Sequence, residues 1–192
     1  LSDVTKGDIT RNVKWQIKKM EFDNMFVYGR GNVIDFQKLN GITGIFAPNR
    51  SGKSSIIGAI AYGLFNSTDR GKIKNLHIIN SRKGYCRSKI LIGANNKNFI
   101  IDRSSTKHTN KKTSAEHAVT SLNFVECDEE GNTIKNLNGL QRSDTDKQIK
   151  KLIGTFDDFL ITSLSTQFST NKLITEGSTY RNATLARFLG LV

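Results

Sequence analysis

Residues 42–65, ITGIFAPNRSGKSSIIGAIAYGLF, constrain the fold more than any other stretch of this 192-residue chain. The apolar run Ile42 to Phe46 reads as a buried strand. It breaks at Ala47-Pro48-Asn49-Arg50-Ser51-Gly52, and from Lys53 a helix is expected with Ile56, Ile57, Ile60, Ala61 and Leu64 on one face. Strand, tight loop and helix in that order make a phosphate-binding P-loop. The loop amides and the unpaired amides of the helix's first turn converge on one point and favour an anion there. Lys53 adds a point charge for the β- and γ-phosphates of a nucleotide, and the Ser54 hydroxyl suits the Mg²⁺ that bridges them.

Two positions depart from the usual G-x-x-x-x-G-K-[ST] pattern. Ala47 stands where the first glycine is expected, and it is tolerated because the residue before a proline is pushed into the extended region, which alanine adopts as easily as glycine. Arg50 carries backbone strain if its φ must be positive, offset by a guanidinium close to the phosphates.

Upstream, Trp15 to Phe22 alternates loosely and Val33 to Phe36 follows a Gly29-Arg30-Gly31-Asn32 turn, so a β-hairpin is expected to lead into the motif. Downstream, Lys89–Ile92 and Phe99–Arg103 flank GANNKN as a second hairpin. Ser121–Cys127 and Thr133–Leu137 flank a turn at 128–132 as a third. Between these, Ser104 to Ala118 is polar and lysine-rich and is expected to be a mobile loop. Leu76, Ile78 and Ile79 read as core anchors. From Ser143 the period turns helical, with Ile149, Leu152 and Ile153 on one face, a break at Gly154, and a second short helix through Phe156, Phe159, Leu160 and Leu164. After the polar STQFSTNK stretch, Ser178 is expected to cap a last helix.

Cys86 and Cys127 stand far apart with no C-x-x-C pair, and His77, His108 and His117 have no ligand spacing, so buried thiols and ordinary histidines are expected rather than a zinc site. The longest apolar stretch is too short to span a bilayer and the polar opening lacks a signal-peptide core, which predicts a cytoplasmic protein with no membrane partner. The formal charge of +12 points to a polyanion. From Arg70 to Lys112, twelve lysines and arginines face one acid, Asp102, so this segment holds +11 of the +12. With no base-reading motif beside them, Arg103, Lys107, Lys111 and Lys112 are predicted to bind DNA without sequence preference.

With APNRSGKSSIIGAIAYGLF, the hairpins that follow, IGTFDDFLITSLSTQFSTNKLI and the closing STYRNATLARFLGL in order, the chain resembles the N-terminal lobe of an SMC-type ATPase. Within that group it is most similar to the SbcC family of double-strand-break repair and recombination ATPases and its phage relatives. The resemblance implies an α/β P-loop NTPase of ABC-ATPase/SMC-head type, spanning 1–192 as one lobe: a lead-in at 1–12, hairpin and P-loop at 13–65, a basic β-rich part at 66–140, and a helical part at 141–192. It implies that Asn49, Arg50, Ser51, Gly52, Lys53, Ser54 and Ser55 hold ATP, and that Gln167 is the Q-loop residue that contacts Mg²⁺ and senses the γ-phosphate. Lys53 and Gln167 would be the catalytic residues of the lobe, and Asn24 to Phe26 would lie at the base and ribose. The implied partners are the chain's own C-terminal lobe across a coiled coil, a second copy through ATP, an SbcD-type nuclease and DNA. No signature-like S-x-G-E and no apolar run ending in paired acids follows Gln167, so half an active site is expected, one that binds ATP and hardly hydrolyses it. A chromosome-organising SMC, or a RecF/RecN-like clamp without a nuclease, is the competing reading. A small-molecule kinase that shares only the loop leaves the β-rich middle unexplained.

Overall fold

The computed structural model describes residues 13–68, 74–164 and 177–188. Val13–Ile153 form one compact unit, and the residues from Gly154 onward belong to another.

The first unit is built on a six-stranded antiparallel sheet in the order β2-β1-β3-β4-β5-β6. Its strands are β1 (Trp15–Asp23), β2 (Asn32–Asp35), β3 (Tyr85–Ala94), β4 (Lys97–Thr109), β5 (Glu116–Cys127) and β6 (Thr133–Asn136). The three expected hairpins are present. Asn95 and Asn96, between β3 and β4, both hold positive φ (50° and 60°), as a two-residue hairpin turn demands and as asparagine tolerates. Met20, Phe22, Ile90, Ile92, Ile101 and Phe124 are buried in one core with residues of the helices α1 (Lys53–Phe65) and α2 (Arg142–Ile153). Ile78 and Ile79 join it, while Leu76 is half-buried. Ile100, Val125 and Cys127 form a smaller cluster of their own, with Leu91 against it.

Four expectations are corrected. Ser104 to Ala118 is not a loop: β4 and β5 stay paired out to Thr109 and Glu116, and a short turn joins them. A polar stretch is satisfied in a strand whose ladder bonds are made, and Ser104–Ser121 and Ser105–Thr120 hydroxyl pairs at 2.7 Å tie the strands side by side. Ile42 to Phe46 is neither a paired strand nor buried. Ile42, Ile45 and Phe46 are exposed, and among the described residues no strand lies beside them to complete a ladder. The buried face of α1 is only partly the expected one: Ala61 and Leu64 are buried as expected, whereas Ile56, Ile57 and Ile60 are half-buried, and Ser55, Gly58, Ala59, Tyr62 and Gly63 complete the buried set. Small residues let the helix lie close to the sheet. A Cβ on Gly63 would stand 2.3 Å from Ser88 Oγ and 2.6 Å from Ile90 Cδ1. Finally, Ser178 is the first residue of the last described helix, Ser178–Phe188, rather than its cap.

Hydrogen bonds anchor α1 at its far end. Tyr62 and Ser105 hydroxyls meet at 2.7 Å, Ser105 meets Thr120, and Asn75 Nδ2 donates to both Thr120 Oγ1 and Asn66 Oδ1. Asn66 ends the helix in the left-handed region at φ 54°. Cys86 and Cys127 are free and buried as expected, and burial pushes the Cys86 thiol up to about 11, which leaves it protonated and unreactive at neutral pH.

The second unit holds α3 (Phe156–Thr162) and α4 (Ser178–Phe188). Thr155 opens α3 with a reciprocal capping box: its hydroxyl accepts from the Asp158 amide, and the Asp158 carboxylate accepts from the Thr155 amide.

Candidate functional site

The loop before α1 takes the conformation its sequence requires. Gly52 sits at φ 98° as the residue preceding the helix, and no side chain caps the helix start. A Cβ there would lie 2.4 Å from Val27 Cγ2, so only glycine fits. Arg50 adopts φ 65°, so the condition for strain is met and it accepts strain that glycine would avoid. Lys53 folds back over the loop and donates through Nζ to the carbonyls of Ala47 (2.5 Å) and Pro48 (2.8 Å).

These residues fit a phosphate group. The first amides of α1 are uncapped at the positive end of a 13-residue helix, with a lysine ammonium over the same loop. Asn49, Arg50 and Ser54 are exposed at the mouth, as is Ser51. Ser54 lies exposed in the first turn of α1. Ser55 is buried and its amide is bonded to Gly52 O at 2.9 Å, which takes it out of the phosphate-facing set. Gln167 lies outside the described residues.

The loop from 24 to 31 supports this site from below. Asn24 and Phe26 both hold φ 53°, and the segment is stitched to residues 78–80 by Phe26 N–H to Ile78 O, Asn80 N–H to Asn24 O and a bridge between Met25 and Ile79. Asn24 and Met25 are fully buried. Val27 and Tyr28 reach Gly52, an approach that no pattern in the sequence announces.

The predicted DNA residues separate into two groups. Arg103 is wholly buried: its guanidinium bonds Asp146 Oδ1 at 2.8 Å and Gly63 O at 3.3 Å, so it is a structural ion pair and cannot reach a phosphate backbone. Its strand position on the core face explains the difference, because β4 alternates and Arg103 falls in phase with Phe99 and Ile101. Lys111 and Lys112 are exposed in the turn joining β4 to β5. Lys107 is half-buried, with its backbone amide on Gly84 O at 2.7 Å, which brings the β4–β5 arm against exposed Arg82 and Lys83. Other cations of the basic segment are neutralised locally: Arg87 pairs with Asp102 at 2.5 Å and Lys97 with Glu126 at 2.8 Å. Arg70 and Lys72 lie outside the described residues.

A family model described as "AAA domain" matches residues 19–185, most of the chain and all of the elements above from β1 into α4. The chain belongs to the AAA domain family. A curated relative of this AAA domain is "Uncharacterized protein R555" of Acanthamoeba polyphaga mimivirus, 33% identical over 170 residues. The match takes in 86% of the present chain and 12% of R555, so the chain spans about an eighth of that relative's length. Among solved structures, "Structure of the recombination mediator protein RecF-ATPrS in RecFOR pathway" is similar at 17% identity with a TM-score of 0.47, covering 89% of this chain and 37% of that one. Among the described residues of the AAA domain, no helix is long and apolar enough to cross a membrane, and no three His, Cys, Asp or Glu side chains gather as metal ligands.

Proposed function

We propose that this AAA domain is the ATP-binding lobe of an SMC-like ATPase that couples ATP binding and hydrolysis to DNA end binding and processing, in double-strand-break repair or recombination, alongside an SbcD-type nuclease. The uncapped N-terminus of α1, with Gly52 at positive φ and Lys53 over the loop, is the observation that carries the ATP-binding part. Ser54 and Gln167 are the proposed Mg²⁺ residues, and the ion would supply charge neutralisation across the β- and γ-phosphates. The chain's own residues bind and orient: the α1 amides and Lys53 hold the phosphates, and Tyr28 and Val27 pack beneath Gly52. Calorimetric titration with ATP and Mg²⁺ tests the reading, and absence of binding by the wild-type protein refutes it.

Ile42, Ile45 and Phe46 support a second lobe, because neighbouring exposed apolar side chains mark a surface suited to being covered by another part of a protein. The proposed cover is a C-terminal lobe returning across a coiled coil, with a second copy completing the site through ATP. Water positioning and further charge stabilisation would come from those parts, so residues 1–192 alone are expected to bind ATP with negligible turnover. Steady-state phosphate release by the isolated lobe that is lost in Lys53→Ala would show instead that a complete site lies within these residues.

The DNA surface is narrower than charge counting suggests and centres on the β4–β5 arm with Arg82 and Lys83. Replacing Lys107, Lys111 and Lys112 together by alanine is expected to weaken duplex binding and to reduce the slope of log affinity against log salt by about 2 to 3, near 0.9 for each phosphate no longer neutralised. ATP affinity should stay unchanged. An unaltered slope would place the DNA surface elsewhere.

A further inference from the structure

We propose that Tyr28 is a positioning residue for the phosphate cradle: its hydroxyl holds the Gly52 carbonyl and so aims the Lys53 amide out of the helix start, toward the anion. The inference rests on the nucleotide-binding reading above and adds to it a residue far from the motif in sequence.

Gly52 is the weak point of the loop. It sits at φ 98°, and glycine crosses between backbone basins with little penalty, so nothing in its own covalent structure keeps the Gly52–Lys53 peptide in one orientation. That peptide is planar and trans, so its carbonyl and the Lys53 N–H point in opposite directions. Whatever fixes the carbonyl fixes the amide. Two donors do so: the Ser55 amide at 2.9 Å, and the Tyr28 hydroxyl at 3.0 Å from a different part of the chain. Together they use both lone pairs of the Gly52 oxygen.

Tyr28 is itself held firmly enough to act as a reference point. Its amide donates to Met25 O at 2.9 Å, its carbonyl accepts from Asn80 Nδ2 at 3.2 Å, and its ring meets Phe22 edge-on at 5.2 Å. Met25 and Phe22 belong to the buried core, so the hydroxyl is referred to the sheet rather than to the loop it steadies. Burial pushes the phenol above its ordinary range, which keeps the proton needed for donation at any working pH. Val27 closes the same side of Gly52, so the glycine is bounded by one apolar and one hydrogen-bonding neighbour.

Tyr28→Phe removes only the hydroxyl and keeps the ring on Phe22. The test compares wild type and Y28F in the full chain by calorimetric titration with ADP and Mg²⁺, and by the ³¹P resonance of the bound β-phosphorus, which senses the donors around it. The expected result is about fivefold weaker ADP binding, the size of one hydrogen bond, with a displaced β-phosphorus resonance and an unchanged melting temperature. Equal affinity overturns the assignment. Weaker binding with the resonance in its wild-type place also overturns it, because that outcome marks a prop of the fold rather than of the cradle. Failure of the wild-type protein to bind ADP overturns the nucleotide reading itself, and the role of Tyr28 falls with it.

Discussion

Replacing Lys53 by alanine is expected to weaken ATP binding by about 10- to 100-fold while leaving the fold intact. A hydrogen bond to a charged group contributes about 1.5–3 kcal/mol, and Lys53 is the residue of the loop whose ammonium can follow the β- and γ-phosphates. Its Nζ bonds Ala47 O and Pro48 O, so it spans the loop proposed to hold the nucleotide. Both carbonyls belong to exposed residues, so in Lys53→Ala water takes over those two bonds and stability changes little. Calorimetry with ATP and Mg²⁺, paired with a thermal melt of each protein, separates the two effects. Equal ATP affinity in wild type and variant would remove Lys53 from the phosphate site.

The largest stability effect is expected far from the loop, at Asp146→Ala. Arg103 is wholly buried in the sheet's core face, and its guanidinium bonds Asp146 Oδ1 and Gly63 O. Its Nη1 has no partner among the described residues, so the group is already under-satisfied. Removing Asp146 leaves a buried positive charge with one neutral acceptor, and breaking a buried pair this way costs about 3–5 kcal/mol. Arg103→Met should be milder than Asp146→Ala, because it takes the buried charge away and leaves Asp146 with a quarter of its side chain in water. Urea unfolding measures both. A loss under about 1 kcal/mol for Asp146→Ala, the scale of an exposed pair, would mean that Arg103 finds another partner or water.

The same pair shows why charge counting along a chain overstates a nucleic-acid surface. Arg103, Lys107, Lys111 and Lys112 look alike in a polar, lysine-rich stretch. Pairing of β4 with β5 assigns them different environments: Arg103 falls inside with Phe99 and Ile101, and Lys111 and Lys112 are carried to the end of the arm. The polar composition suggested a loop because strand signals rest on apolar alternation, and a strand made of hydroxyl and charged residues carries none. Tyr28 is a second case. A lone tyrosine in a turn carries no signal for a role, and its bond to Gly52 arises because the 24–31 loop is stitched to residues 78–80 and held beneath the P-loop.

Features decided by local chemistry were legible from the sequence alone. Gly52 and Lys53 mark where the loop ends and α1 begins, paired asparagines mark the β3–β4 turn, and Gly154, at φ 85°, marks the break before α3. Each depends on residues within a few positions of one another, so the chain states it directly. Features that depend on distant partners were settled by the tertiary structure. Ile42 to Phe46 has strand composition, yet no strand pairs with it among the described residues. The isoleucines of α1 mark a helix, whereas close approach to β3 selects the face lined by Gly63 and Ala59. Arg103 is a cation in sequence and a buried ion pair in the fold because Asp146 stands 43 residues away. Periodicity and turn chemistry write an element, and which face is covered, and by what, is written only when another part of the chain arrives to bury it.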